Sequence, residues 1–118
     1  FEWRCKQAGQ LASKMRYISA PWCGLLEGNV WLENARHANA CAERLAKGLE
    51  GLPGIGLRYP RQVNGVFVEM PDPVQAALRD KGWKFYNFIG GSARLMCSWS
   101  TTPEQVDRFL ADLRALVS

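Results

Sequence analysis

The sequence is short of the residues that most often announce chemistry. It holds one histidine, His37, in 118 residues, so no pair of imidazoles can share a metal ion or a proton. His37 stands between Arg36 and Ala38 in a helical pattern, where it reads as a surface or edge histidine rather than a general base. The four cysteines, Cys5, Cys23, Cys41 and Cys97, are separated by 18, 18 and 56 residues. That spacing matches no zinc or redox motif, and no metal site is expected. A chain of this size builds a core without staples, so buried free thiols in a reducing cytoplasm are expected. No GxSxG, HExxH, Walker loop or paired-carboxylate motif occurs. Gly90-Gly91 precedes a strand rather than a helix, so it reads as a hairpin turn and not as a phosphate loop.

Long runs are missing too. No apolar stretch approaches about 18 residues, so no membrane span is expected. There is no charged-then-apolar leader, and the first residue is Phe1, which raises the expectation that sequence upstream is missing. No run of five or six like charges appears. Fifteen basic and eleven acidic residues leave a net charge of +4, with a pI near 9.1. So modest a balance fits a solvated surface better than a nucleic-acid partner.

What remains is ordinary globular material, 47% hydrophobic and 22% charged, of a length that fits one domain. Ala8, Leu11, Ala12, Met15, Ile18 and Trp22 recur at helical spacing, which predicts a helix from Trp3 to Trp22 broken near Pro21 and Gly24. A second helix places Leu32, Ala35, Ala38, Ala42, Leu45, Leu49 and Leu52 on one face and ends at Pro53-Gly54. Strands are expected at Ile55–Tyr59, Val66–Met70, Trp83–Ile89 and Arg94–Trp99, the last two joined as a hairpin. Asp72 is expected to cap a helix with Pro73 first and Gln75 completing a capping box, closing at Lys81-Gly82. Thr102, Pro103 and Gln105 open the final helix, which turns Val106, Phe109, Leu110, Leu113 and Leu116 inward.

The order is two long helices followed by β-β-α-β-β-α. This predicts an α/β fold, a two-layer sandwich with a small, mostly antiparallel sheet. Residues 1–53 would form bridging or interface helices and 54–118 the sandwich.

Two constellations stand out. Lys81-Gly82-Trp83-Lys84-Phe85-Tyr86-Asn87-Phe88 echoes the aromatic strand of RNA-recognition motifs, which suggests a stand-alone RNA- or protein-binding module. Against it, Lys84 replaces a small residue, the run follows a helix as a second strand would, and no closing strand follows the last helix. The other is Arg94, which opens a strand among Ala93, Leu95, Met96 and Cys97. A guanidinium there needs a partner. A carboxylate ligand would suit its planar fork, and so would Glu69 on the neighbouring strand.

Longer stretches carry a resemblance. Ala8-Gly9-Gln10-Leu11-Ala12-Ser13-Lys14-Met15-Arg16-Tyr17, with Ser19-Ala20-Pro21-Trp22, is similar to the segment that follows the cofactor lysine of bacterial low-specificity L-threonine aldolases. Trp31-Leu32-Glu33-Asn34-Ala35-Arg36-His37-Ala38-Asn39-Ala40 resembles their next helix. Val63-Asn64-Gly65-Val66-Phe67-Val68, Gly82-Trp83-Lys84-Phe85-Tyr86, Arg94-Leu95-Met96-Cys97-Ser98-Trp99 and the helix from Thr102 to Leu116 continue the match.

The resemblance implies the C-terminal small domain of a pyridoxal-phosphate lyase of fold type I. Such enzymes cleave threonine or allo-threonine to glycine and acetaldehyde, the cofactor acting as electron sink while held by a lysine. The serine/threonine-rich loop around that lysine has no counterpart here. Lys6, Lys14, Lys47, Lys81 and Lys84 lie in other contexts, so the 118 residues are expected to be inert alone. By the same resemblance Arg94 grips the substrate α-carboxylate. Arg16 reaches the cofactor phosphate region of a neighbouring subunit, with Lys14 beside it as the lesser candidate; a solvated helix face is the other reading of both. A homodimer or homotetramer in the cytoplasm is implied, with an apolar surface facing the missing domain that would explain the tryptophans.

Overall fold

A glycine at the C-terminal end of a short helix divides the first third of the chain. The structure, a computed structural model, describes residues 1–10 and 13–118, so the expected helical positions Leu11 and Ala12 lie outside the described residues. Helix α1 (Glu2–Gln7) ends where the Gly9 N–H donates to the Lys6 carbonyl and the Gln10 N–H to that of Cys5. Gly9 takes φ +69°, the left-handed conformation that closes a helix with this pair of hydrogen bonds. Helix α2 (Met15–Leu26) then starts after Lys14, itself left-handed at φ 57°, and runs through Pro21. The single helix expected from Trp3 to Trp22 is therefore two. Its break falls at Ala8-Gly9 and not at Pro21, because one proline forfeits one hydrogen bond while a positive φ redirects the chain. Gly28 at φ 68° ends this stretch in a 3₁₀ turn, Glu27–Asn29.

Helix α3 (Val30–Leu49) follows. The chain falls into two compact units, Phe1–Glu33 and Asn34–Ser118. The reason lies in α3 itself. Ala38, Cys41, Ala42, Leu45, Ala46 and Leu49 are its buried residues, and all but Ala38 belong to the core cluster that includes sheet residues.

In the second unit four strands, β1 (Gly56–Leu57), β2 (Gly65–Glu69), β3 (Tyr86–Asn87) and β4 (Ala93–Met96), stand in the order β1-β2-β4-β3. Every pairing is antiparallel. Val66, Val68, Ala93 and Leu95 face the helices α3, α4 (Asp72–Asp80) and α5 (Pro103–Val117), and share one core with Leu78, Val106, Phe109, Leu110 and Leu113. The expected two-layer α/β sandwich is present. The hairpin strands are shorter than the sequence predicts, since Trp83 and Phe85 leave the ladder to pack against the core. Gly48 lets α3 approach α5 closely: a Cβ there would collide with a Leu110 methyl.

Capping follows expectation at α5 and departs from it at α4. The Gln105 N–H donates to Thr102 Oγ1 at 3.2 Å, and the Thr102 N–H donates to Gln105 Oε1 at 2.9 Å. At α4 the cap position is Pro71, with no side-chain bond. Gln75 forms no capping box there; its side chain is buried and donates to the Met70 carbonyl at 3.1 Å. Gly82, at φ +92°, closes α4 at the expected place.

Polar contacts tie the helices at the surface. Arg44 of α3 forks onto Asp107 of α5 with two bonds of 2.7 Å. Asp112 of α5 accepts from Lys81 Nζ at 2.9 Å and from Trp83 Nε1 at 2.8 Å. The lysine bond first, then the indole, holds the Asp112 carboxyl below the usual carboxylate range. A carboxyl depressed on folding stabilises the protein above its unfolded pKa, and that contribution is lost as pH falls toward the folded value. The melting temperature should therefore drop below about pH 4, and Asp112→Asn should flatten that drop while lowering the melting temperature at pH 7. An acid limb of unchanged slope in the variant would assign the effect to other carboxylates.

Candidate functional site

Strand β4 alternates: Ala93 and Leu95 are buried, Arg94 and Met96 exposed. Alternation is what a strand does, and here it turns Arg94 onto the open face of the sheet, away from the core. Its register partners are Phe67 on β2 and Tyr86 on β3. Side chains directly opposite one another share a face, so the guanidinium stands between two aromatic residues. Among the described residues the Arg94 side chain makes no hydrogen bond or ion pair. The partnership with Glu69 that the sequence left open does not form, because Glu69 is held by Arg58 at 2.8 Å.

Aromatic rings floor the same face. Phe67 meets Tyr59 edge-to-face at 5.7 Å and Phe88 at 5.1 Å, a favourable geometry for rings of opposed quadrupole. Arg58 lies 5.9 Å from the Tyr59 ring, and its guanidinium passes where a Cβ on Gly90 would stand, 3.2 Å away. The face thus offers one unpaired cation beside an aromatic floor, with a paired cation at the floor's edge. Such a surface can take a small anion that carries an apolar or planar body. The sequence reading missed this floor, although Phe67 stands out of phase with Val66 and Val68, which is the signal for the opposite face.

Lys14 and Arg16 belong to the first unit. Lys14 is the residue before α2, and Arg16 is in its first turn. Both are exposed; Arg16 donates to Tyr17 Oη at 3.3 Å and lies 5.0 Å from that ring. Among the described residues no side chain caps α2. Two cations beside uncapped helix N–H groups are a donor set that suits a phosphate.

The other sequence candidates have structural work. His37 Nε2 donates to the Thr101 carbonyl at 2.6 Å, and Cys41 Sγ donates to the same oxygen at 3.4 Å. All four cysteines are free. Cys41 and Cys97 are buried, Cys5 is half-buried and Cys23 exposed, so the expected buried thiols hold for two. Burial pushes the Cys97 thiol up to about 11. Trp83 packs edge-to-face on Phe109 at 5.2 Å, and Phe85 lies under Arg79 at 4.5 Å. These two aromatics cover the core and β3 is an edge strand, unlike the central, base-stacking strand of the RNA-binding reading. Among the described residues no cluster of potential metal ligands occurs, and no helix is long and apolar enough to cross a membrane.

Comparison with known proteins places this fold. A solved structure of Leishmania major threonine aldolase superposes with a TM-score of 0.70 at 30% identity, over 80% of this chain and 28% of that one. A sphingosine-1-phosphate lyase from Burkholderia pseudomallei gives 0.64 at 19% identity, over 79% of this chain and 23% of that one, a likeness of fold alone. The chain has the fold of part of a fold-type-I pyridoxal-phosphate enzyme. No protein-family model matches it. Over its whole length it is 56% identical to a low-specificity L-threonine aldolase from Pseudomonas sp., and over 99% of its length 51% identical to one from Pseudomonas aeruginosa. What the chain is similar to is the C-terminal part of these low-specificity L-threonine aldolases. It spans about a third of the length of these curated relatives, 34% in each case.

Proposed function

We propose that this chain is the C-terminal small domain of a threonine aldolase that cleaves L-threonine or L-allo-threonine to glycine and acetaldehyde. The observation that carries the reading is the unpaired Arg94 guanidinium on the open sheet face between Phe67 and Tyr86. An α-amino acid presents a planar carboxylate, and arginine's fork meets it with two parallel hydrogen bonds. Holding the carboxylate fixes the amino acid's orientation, and with it which bond to the α-carbon is aligned for cleavage. In the reaction the Cα–Cβ bond breaks, the β-hydroxyl loses its proton as acetaldehyde forms, and the α-carbon takes up a proton to give glycine. Bound pyridoxal phosphate supplies an electron sink for the pair left on the α-carbon. Arg16, with Lys14, would hold the phosphate of a cofactor bound to a neighbouring subunit.

The apolar surface of the first unit supports a subunit- or domain-contacting role for residues 1–33. Trp3, Ile18, Trp22 and Leu26 are all exposed there, more apolar area than a solvated surface needs. A homodimer or homotetramer would cover it.

The test is chemical. The complete polypeptide, reduced with borohydride, should carry one pyridoxal-phosphate adduct per chain and, unreduced, release acetaldehyde from threonine. A chain that takes up no cofactor, or takes it up and cleaves neither threonine nor allo-threonine, overturns the reading.

A further inference from the structure

Gln75 and Arg79 lie one turn apart on α4 and reach the hairpin that carries Arg94 from the helix side of the sheet. Gln75 is 1% exposed. Its amide nitrogen donates to the Met70 carbonyl at 3.1 Å, just past the end of β2, and to the Gly91 carbonyl at 3.5 Å, in the turn before β4. That turn is otherwise held by its own backbone. The Phe88 N–H donates to the Ser92 carbonyl at 2.7 Å, and the Gly91 N–H to the Phe88 carbonyl at 3.0 Å. Gly90 and Gly91 sit at φ +85° and +84°, a turn with little stiffness of its own. Arg79 completes the link: its guanidinium donates to Gln75 Oε1 at 3.5 Å and to Asn87 Oδ1 at 2.5 Å. Asn87 is the β3 partner of Ala93, the residue before Arg94.

We infer that Gln75, with Arg79, is a positioning device for Arg94. It ties the glycine turn and β3 to α4 and to the end of β2, and so sets the depth and register at which the guanidinium stands on the open face. The inference rests on the carboxylate role proposed for Arg94. A buried side chain amide is otherwise costly in a core, and a leucine would fill the same volume. The amide's specific yield is the tie to Met70 and the turn. Supporting groups of this kind are what hold a binding side chain to productive geometry.

The experiment uses the complete polypeptide loaded with pyridoxal phosphate. Gln75→Leu should raise KM for threonine and the dissociation constant for glycine by about five- to tenfold, the span of one or two ordinary hydrogen bonds, with kcat changed far less. Cofactor absorbance should be retained, and amide hydrogen exchange over residues 88–94 should quicken. Arg79→Met, at an exposed position, should move KM in the same direction by about two- to threefold, and keeps the test decisive if Gln75→Leu fails to fold. A core variant on α5 that touches neither Gln75's ties nor Arg79's, Leu113→Ala, should lower stability with KM changed far less than by Gln75→Leu. In an Arg94→Ala background, Gln75→Leu should add nothing further, because residues acting through one group are not additive. An unchanged KM in a folded Gln75→Leu or Arg79→Met protein, or an equal rise with Arg94 already removed, overturns the inference. If Arg94→Ala itself leaves KM unchanged, the failure belongs to the carboxylate reading instead.

Discussion

Replacing Arg94 with alanine in the complete polypeptide is expected to weaken the binding of threonine and glycine by roughly two orders of magnitude while the bound cofactor keeps its colour. Hydrogen bonds to a charged group contribute about 1.5–3 kcal/mol, and about 2.7 kcal/mol corresponds to a hundredfold in affinity. The site has no understudy on β4: its neighbours Ala93, Leu95 and Met96 carry no charge, and the nearby Arg58 is held by Glu69. Arg94→Lys should recover only part of the loss, since an ammonium is a point charge and cannot fork onto both carboxylate oxygens. Titrating the cofactor absorbance with glycine measures the change directly. An affinity within twofold of the parent would remove Arg94 from the site.

Leu113→Ala is the second large effect expected, this time on stability. Leu113 is fully buried and belongs to the core that joins α5 to α3, α4 and the sheet. Truncating a buried leucine to alanine costs about 2–5 kcal/mol, the loss rising with the cavity left behind. Two features argue for the upper half of that range. Gly48 brings α3 hard against Leu110, and the Arg44–Asp107 fork braces the same two helices, so the walls have little freedom to close in. Denaturant unfolding followed by the fluorescence of Trp83, which packs on α5, reports the change. A loss of less than about 1 kcal/mol would mean that the core collapses readily into the space.

Much of the second unit was legible because its signals are local. Thr102, Pro103 and Gln105 specify the start of α5 by themselves, since each bond of the capping box joins residues three apart. Lys81-Gly82 ends α4 for the same reason. The Val66 and Val68 alternation and the glycine turn before Arg94 likewise reach only a few residues along the chain. Where the reading went astray, a distant residue decided. Gln75 carries a capping-box spacing from Asp72, yet its amide finds the Met70 carbonyl and the Gly91 carbonyl, sixteen residues away in sequence. Trp83 and Phe85 alternate as strand residues do, but Phe109, Asp112 and Arg79 draw them onto the core. The helix stop at Ala8-Gly9 is local too, carried by Gly9 at φ +69°, while α2 runs on through Pro21.

The sequence by itself determined most element types, the antiparallel α/β architecture and, through long stretches of resemblance, a likeness to the low-specificity L-threonine aldolases. These follow from periodicity, caps and turn residues, whose physics is confined to neighbours in the chain. Only the tertiary structure decided Arg94's circumstances. From the sequence it had two partners of equal standing, Glu69 or a ligand. The pairing of Arg58 with Glu69, the register that sets Phe67 and Tyr86 beside Arg94, and the support from α4 all join residues remote in sequence. Such contacts depend on which strand lies beside which, and β1-β2-β4-β3 is an order that no local signal encodes.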